Sequence, residues 1–212
     1  MDSLVTDPRL VTAVAAVLAY LVGSLSFAVI VSRLFGLSDP RTYGSGNPGA
    51  TNVLRSGHKG AAILTLLFDA LKGYVPVAIA QHMGMDQAAV TLVGLAAFLG
   101  HLWPIFFRFE GGKGVATAAG VLLAFQPALG GLVLAVWLLM AVVFRYSSLA
   151  ALTASLAAPI IQWQLMGMGA MTIGVAIMSA LLIWRHAANI RKLLAGQESK
   201  LGQKAAPKPP QP

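Results

Sequence analysis

The chain has 212 residues, of which 57% are hydrophobic and only 10% are charged. Soluble domains carry about 25% charged residues, so this composition excludes a water-soluble fold and, outside the tail, intrinsic disorder. The sequence contains no cysteine, which rules out disulfides, thiol catalysis and cysteine-bound metals. It therefore predicts an all-α, polytopic integral membrane protein.

Seven apolar segments follow one another along the chain. A bilayer core needs roughly 20 apolar residues per helix, and most of the segments reach that length. The fourth is short, because it ends at Gln126-Pro127 and proline favours a helix boundary. The predicted spans are 10–34, 59–82, 87–107, 114–126, 127–145, 148–165 and 170–190.

The distribution of charge predicts how these spans are oriented. Lysine and arginine concentrate in the first, third and fifth connections and after the last span, whereas the turns near 83–86, 126 and 165–169 carry none. Because basic connections stay in the cytoplasm, seven crossings predict an N-terminus outside and a cytoplasmic C-terminus. The net charge of +8 is thus a topology signal and not a sign of nucleic acid binding. Residues 1–198 are predicted to form one domain, followed by a disordered, basic, proline-rich tail over 199–212.

The first connection, residues 43–55, is rich in glycine, asparagine and hydroxyl side chains. Its backbone can turn freely and aim N–H groups at a phosphate or carboxylate, and Arg55 can add a bidentate charge. A tight interfacial loop, in which the glycines only satisfy turn geometry, explains the same composition equally well.

The third connection ends in Gly111-Gly112-Lys113-Gly114, immediately before the short fourth span. A glycine turn, an ammonium and a helix N-terminus together favour phosphate. The segment is not a Walker A loop, since Gly114 stands where Ser or Thr should bind magnesium. The short helix can start below the headgroups and place Lys113 where a phosphate meets an acyl chain. The alternative is a snorkelling lysine at a helix end.

Polar residues also follow the last span. His186 and Asn189 are three residues apart and share a helical face, with Arg191 close behind. Taken alone, basic residues at this point are more often a topology anchor than a site. Ser148 follows the fifth connection, where its hydroxyl either donates to a phosphate or belongs to a helix N-terminus.

Two further patterns bear on chemistry. Asp69 and Lys72 lie inside the second span at i, i+3, so that they can pair, with a structural or a functional role left open. No histidine is followed five positions later by aspartate, so the dyad of thioester-using acyltransferases is absent. Asp39, Glu110 and Glu198 are isolated along the chain, which favours an anion site without a metal.

At these three segments the sequence closely resembles the bacterial acyl-phosphate:glycerol-3-phosphate acyltransferases, the PlsY family. The resemblance runs from about residue 20 to Glu198 and leaves out the tail. It rests on residues 44–47 and 49–52, on Gly100-His101, Pro104, Phe106 and 111–117, and on Arg185-His186, Asn189-Ile190, Gly196 and Glu198.

The resemblance implies seven transmembrane helices in the bacterial inner membrane and an active site facing the cytoplasm. It implies acyl transfer from acyl phosphate to glycerol 3-phosphate, an early step of phospholipid synthesis, giving lysophosphatidic acid and phosphate without a cofactor. By motif match, the implied catalytic residues are Ser45, Arg55, Lys113, Ser148, His186 and Asn189. Further candidate substrate-binding residues are Gly46, Asn47, Thr51, Asn52, Gly111, Gly112, Gly114 and Arg191.

An acyl phosphate is already activated, so that clamping two phosphates close together can supply much of the barrier reduction. We assign the donor phosphate and developing oxyanion to Lys113, the backbone of 111–114, Ser45 and Ser148. We assign the binding of glycerol 3-phosphate to Arg55, His186 and Asn189. The general base is either His186 or a substrate phosphate, whose second pKa is near 6.

Two other functions fit parts of the pattern. A transporter for a phosphorylated solute would also need anion-binding loops, but transporters place their sites near the bilayer midplane, whereas these candidates all lie at one face. A non-catalytic membrane subunit leaves the glycine-rich loops unexplained.

Overall fold

The computed structural model describes residues 7–203, whose regular structure is entirely helical. The predicted all-α class is confirmed for this part of the chain. A 3-10 turn, Ile105–Phe107, follows the fifth helix. The α-helices are α1 Pro8–Gly23, α2 Phe27–Leu34, α3 Ala50–Leu54, α4 Lys59–His82, α5 Gln87–Leu102, α6 Val115–Phe125, α7 Pro127–Phe144, α8 Ser147–Met166, α9 Ala170–Arg185 and α10 Ala187–Leu194.

Four helical segments are long and apolar enough to cross a membrane: α4, α5 with its 3-10 turn, α7 and α8. Two bent pairs pass the same test together, α1 with α2 at 41° and α9 with α10 at 57°. The remaining apolar helix is α6, with 11 residues, which agrees with the predicted short fourth segment.

The first and last predicted spans are therefore interrupted where continuous helices were expected. In the first, Ser24 begins the break, and the carbonyl oxygen of Leu25 accepts a hydrogen bond from the Lys72 ammonium at 2.7 Å. That oxygen has no helical amide partner, so the backbone turns before α2. In the last, the bend falls at His186.

The short helix α6 lies inside the bundle, packed against α4. Glycines allow this approach: a Cβ on Gly120 would lie 1.9 Å from the carbonyl oxygen of Ala70, and one on Gly73 would lie 2.3 Å from that of Thr117. Small residues at helix contacts let backbones come close within a membrane, where hydrophobic attraction between helices is weak. The packing holds the start of α6, at Thr117, against Gly73 of α4.

The outer surface is apolar. Large side chains such as Val142, Leu139 and Leu156 are between 60% and 76% exposed, and they belong to helices that are long and apolar enough to cross a membrane. A soluble protein rarely leaves so large an apolar surface uncovered. Lipid is the solvent that suits this surface.

The start of the tail, which was predicted to be disordered, makes defined contacts. Arg55 donates to the Ser199 hydroxyl, and the amide of Leu201 donates to the carbonyl oxygen of Arg145 at 2.7 Å. The sequence could not reveal this, because both partners lie in distant connections. Residues 204–212 of the predicted tail lie outside the described range.

Candidate active site

A cavity of about 660 Å³ opens into the bundle from the end where the polar connections meet. All six residues assigned to the catalytic site line this one cavity: Ser45, Arg55, Lys113, Ser148, His186 and Asn189. The remaining wall is largely apolar and includes Leu122, Trp137, Leu138, Ala154, Val175 and Met178. The cavity thus has a polar, cationic mouth and a hydrocarbon-like interior, which suits a ligand with an anionic head and an alkyl chain.

Lys113 belongs to a hydrogen-bonded chain of side chains across the mouth. Its ammonium donates to the side-chain oxygen of Asn189, whose amide nitrogen donates to a Glu198 carboxylate oxygen at 2.8 Å. The Ser148 hydroxyl donates to the same carboxylate oxygen at 2.7 Å. Glu198 therefore orients two predicted site residues.

Glu198 is the main residue that the sequence reasoning missed, since it appeared isolated from other carboxylates. The 50 positions that separate it from Ser148 hide the contact. The one signal available was its place in the third segment of the family resemblance. Two further cations, Lys59 and Lys200, also line the cavity and were not predicted.

The first connection is organised by the buried amide side chain of Asn52. Its oxygen accepts from the backbone N–H of Ser45 at 3.0 Å and from Arg55 at 3.4 Å. Its nitrogen donates to the carbonyl oxygens of Pro40 and Tyr43 at 2.6 and 3.2 Å. Asn52 therefore places Ser45 and Arg55 and has little hydrogen-bonding capacity left for a substrate.

The backbone of this connection differs from the expected open phosphate cradle. The amide of Gly46 donates to the carbonyl oxygen of Tyr43 at 2.9 Å, and that of Gly49 to the carbonyl oxygen of Asn47 at 3.0 Å. Gly46 does not line the cavity, whereas Asn47 does. Thr51 also lines it, with its hydroxyl 3.2 Å from that of Ser147. The loop therefore offers side chains, and its amides are largely used internally.

In the third connection, Gly111 and Gly112 do not line the cavity, but Lys113 and Gly114 do. The amide of Gly112 donates to the carbonyl oxygen of His101 at 3.2 Å, so it is not free for a phosphate as the sequence analysis assumed. Gly114 has φ of +84°, and a Cβ there would lie 2.3 Å from the ring of Phe98. Only glycine fits this position.

The N-terminus of α6 supplies the free amides instead. The first helical hydrogen bond runs from Ala118 N–H to the carbonyl oxygen of Gly114 at 2.7 Å. The amides of Val115, Ala116 and Thr117 precede it and have no partner within the helix. Val115 and Ala116 line the cavity next to Lys113, so the positive end of the helix dipole is directed towards the mouth.

His186 lies at the bend between α9 and α10 and is 3% exposed. Nδ1 of its ring lies 2.8 Å from the carbonyl oxygen of Leu182 and donates to it, because a carbonyl oxygen can only accept. Arg191 is exposed and does not line the cavity. It follows Asn189 by two positions, which places it on the opposite side of the helix.

The electrostatics of the mouth are dominated by cations. Burial lowers the pKa of the Lys113 ammonium to about 8, and the Glu198 carboxylate partly offsets that shift. At pH 7 Lys113 is therefore mostly charged. Between residues 7 and 203, histidine and carboxylate side chains form no group of three or more that could hold a metal ion.

A second set of charges lies deeper. The Lys72 ammonium is 2.7 Å from Asp69 Oδ1, which confirms the pair predicted from its spacing. His101 joins this pair from α5, with Nδ1 3.8 Å from Asp69 Oδ1 and 3.1 Å from the Thr117 hydroxyl. Asp69 and His101 line the cavity wall.

Apolar helices around a cavity with a cationic mouth and an apolar interior define a multi-pass membrane protein with a site for an amphipathic anion. The family model described as glycerol-3-phosphate acyltransferase matches residues 13–196, and the chain belongs to this family.

Curated relatives and solved structures agree. Glycerol-3-phosphate acyltransferase of Burkholderia lata is 60% identical over 192 residues, which are 90% of this chain and 91% of the relative. The enzyme of Paraburkholderia phytofirmans is 58% identical over 204 residues, or 92% and 95% of the two chains. The glycerol 3-phosphate form of PlsY (YgiH), an integral membrane glycerol 3-phosphate acyltransferase, has a TM-score of 0.86 at 40% identity, covering 90% of this chain and 96% of that chain. Its lysophosphatidic acid form has a TM-score of 0.84 at 39% identity, covering 90% and 95%.

Proposed function

We propose that the protein transfers an acyl group from acyl phosphate to glycerol 3-phosphate, releasing lysophosphatidic acid and phosphate, as an early step of bacterial phospholipid synthesis. One observation carries the proposal: a single cavity joins a cationic mouth to an apolar interior. An acyl phosphate has both an alkyl chain and an anionic head. The glycerol 3-phosphate and lysophosphatidic acid forms of PlsY support the acceptor and the product.

The donor phosphate is assigned to Lys113, the first-turn amides of α6, Ser45 and Ser148. A helix N-terminus and an ammonium together stabilise the charge that develops on the departing phosphate. Arg55, His186 and Asn189 are assigned to glycerol 3-phosphate, next to the donor phosphate, because Asn189 is hydrogen-bonded to Lys113. Because the donor is already activated and both substrates are held at contact distance, the acyl group can be transferred directly, without a covalent enzyme intermediate.

In the reaction, a hydroxyl oxygen of glycerol 3-phosphate attacks the acyl carbonyl carbon. The bond between that carbon and the phosphate oxygen breaks, and the phosphate leaves with the electron pair. The hydroxyl proton goes to a phosphate oxygen, whose second pKa near 6 suits it to accept a proton at pH 7. The His186 ring is buried and is held in place by the hydrogen bond from Nδ1 to the carbonyl oxygen of Leu182. His186 then acts by orienting the acceptor.

Purified protein given palmitoyl phosphate and glycerol 3-phosphate should release phosphate without ATP or CoA, and excess chelator should not reduce the rate. Palmitoyl-CoA should not replace palmitoyl phosphate. Lysophosphatidic acid is quantified by mass spectrometry, with heat-inactivated protein as the control for spontaneous hydrolysis. Comparable turnover of palmitoyl-CoA would overturn the donor assignment, and uptake of glycerol 3-phosphate into vesicles without product would favour a transporter.

We propose further that residues 1–198 form one domain of seven spans in the inner membrane, with the N-terminus outside and the site facing the cytoplasm. The four long segments, the two bent pairs and α6 supply seven apolar segments. The chain has no cysteine, so single introduced thiols report their side directly. Gln203→Cys should be labelled only from the cytoplasm and Met85→Cys only from outside, as the charge distribution requires. Labelling of both from one side would contradict the topology.

A further inference from the structure

The turn that presents Lys113 is held from one side by Arg185. The Arg185 guanidinium donates through Nε to the carbonyl oxygen of Gly112 at 3.1 Å and through a terminal nitrogen to that of Gly111 at 2.7 Å. Two parallel donors on two consecutive carbonyls fix the orientation of that backbone, as the planar fork of arginine allows. Arg185 itself does not line the cavity.

His101 holds the same turn from the other side. Its carbonyl oxygen accepts the Gly112 N–H at 3.2 Å, and a Cβ on Gly112 would lie 2.3 Å from ring atom Nε2. The ring packs directly on the glycine and prevents it from moving towards α5. Gly111 and Gly112 are therefore fixed on both faces, immediately before Lys113.

The His101 ring is supported in turn by the deep charges. Its Nδ1 lies between the Thr117 hydroxyl and Asp69, and Asp69 pairs with Lys72 at 2.7 Å. Lys72 also donates to the carbonyl oxygen of Leu25 at the break between α1 and α2. The Asp69 and Lys72 residues are 2% and 3% exposed. A buried ion pair adds little net stability, so a role in holding the site explains it better.

We propose that Arg185 and His101 are positioning residues that clamp the Gly111-Gly112 turn and so hold the Lys113 ammonium at the cavity mouth. The inference rests on the proposed role of Lys113 in binding the donor phosphate. Because neither side chain is placed against a substrate phosphate, both act through Lys113. Loss of the clamp should lower kcat and leave the KM for glycerol 3-phosphate nearly unchanged.

A double-mutant cycle separates action through Lys113 from independent action. Arg185→Gln alone should lower kcat by about 10- to 100-fold, the size expected when a catalytic group is misplaced by about 1 Å. In the Lys113→Ala background, Arg185→Gln should lower kcat by less than about threefold, because the ammonium that Arg185 positions is absent. Arg185→Lys cannot span both carbonyls, so its loss in kcat should be intermediate between those of the wild type and Arg185→Gln. It also serves as the test variant if Arg185→Gln does not fold. His101→Ala should follow the same pattern with a smaller loss, since the backbone acceptor of Gly112 remains.

The matched control is Lys192→Gln, which removes an exposed cation from α10 that does not line the cavity. It should change kcat less than twofold in either background. Hydrogen–deuterium exchange gives a readout that needs no donor: peptides over 108–114 should exchange faster in Arg185→Gln than in the wild type or Lys192→Gln, because the Gly112 amide loses its fixed geometry.

Three results would contradict the clamp. In the first, the losses in kcat from Arg185→Gln and Lys113→Ala multiply in the double variant. In the others, Arg185→Gln raises KM with kcat unchanged, or leaves hydrogen–deuterium exchange over 108–114 unchanged. Failure of the proposed function looks different. A wild type that does not use palmitoyl phosphate contradicts the donor, while the exchange experiment still decides whether the turn is clamped. A Lys113→Ala variant with near wild-type turnover contradicts the role of Lys113 and overturns the positioning inference as well.

Discussion

The two connections 43–55 and 111–114 are both rich in glycine but present different groups to the cavity. In the first, the amides of Ser45, Gly46 and Gly49 are used within the loop. In the second, the turn is pinned by Arg185 and leads directly into α6, whose first-turn amides have no helical partner.

The difference shows that glycine content predicts only the freedom of a backbone to turn. Whether an amide remains free for a phosphate depends on where the neighbouring carbonyl and side-chain acceptors lie. The first connection contributes the Ser45 and Arg55 side chains, and the second contributes an ammonium together with a helix N-terminus. Three experiments test this division.

The largest effect is expected from Lys113→Ala. A charge-assisted contact to the departing phosphate in a partly dry site is worth about 3–4 kcal/mol in the transition state, so turnover should fall roughly 100- to 1000-fold. Lys113→Arg should restore little, because a planar fork does not reproduce a point charge in a tight turn. Turnover is measured as phosphate release by detergent-purified protein, with the elution profile as the control for folding. A folded variant that keeps more than about a third of wild-type turnover, a loss under 1 kcal/mol, would reduce Lys113 to an interfacial anchor.

A smaller effect separates the two glycine-rich connections directly. A Cβ at Gly112 would lie 2.3 Å from His101 Nε2 and 3.0 Å from the carbonyl oxygen of Pro48, so Gly112→Ala must displace the turn before Lys113. We expect kcat to fall by about 10- to 30-fold. The matched change Gly46→Ala meets nothing closer than 3.5 Å, and an alanine at its positive φ costs about 1–2 kcal/mol locally. The loss in kcat of Gly46→Ala should stay within about threefold. Equal losses in kcat at both positions would contradict the difference between the two connections.

The smallest effect is a pH dependence. The pKa of Lys113 is lowered by burial to about 8, so the charged form is lost as pH rises through that value. Activity that needs the ammonium should be highest below pH 8. At pH 9, kcat/KM for palmitoyl phosphate should be roughly tenfold lower than its plateau at low pH. Lys113→Arg should show no such decline at its lower rate, because a guanidinium keeps its charge. Spontaneous hydrolysis is subtracted at each pH. A wild-type profile that stays flat to pH 9.5 would show that the Lys113 charge is not required.

Much of the site could be predicted because its signals are local. Runs of apolar residues and the charges between them indicate membrane segments, and the short fourth segment could be located from its proline. The spacing of Asp69 and Lys72 predicted their pair, which the structure has at 2.7 Å. Five of the six polar residues lie in the three segments of the resemblance and Ser148 follows the fifth connection, yet all six line one cavity.

Sequence alone thus determined that the chain is a helical membrane protein whose connections are rich in glycine and basic residues, because hydrophobicity and turn chemistry act over a few neighbouring residues. Only the tertiary structure decided which donor meets which acceptor. The contact of Ser148 with Glu198 spans 50 positions, and that of Arg185 with Gly111 spans 74. It also placed Lys72 at the break between α1 and α2, where its ammonium donates to the Leu25 carbonyl oxygen. These outcomes depend on how helices pack, and close packing through glycines such as Gly73 and Gly120 is a property of two helices together.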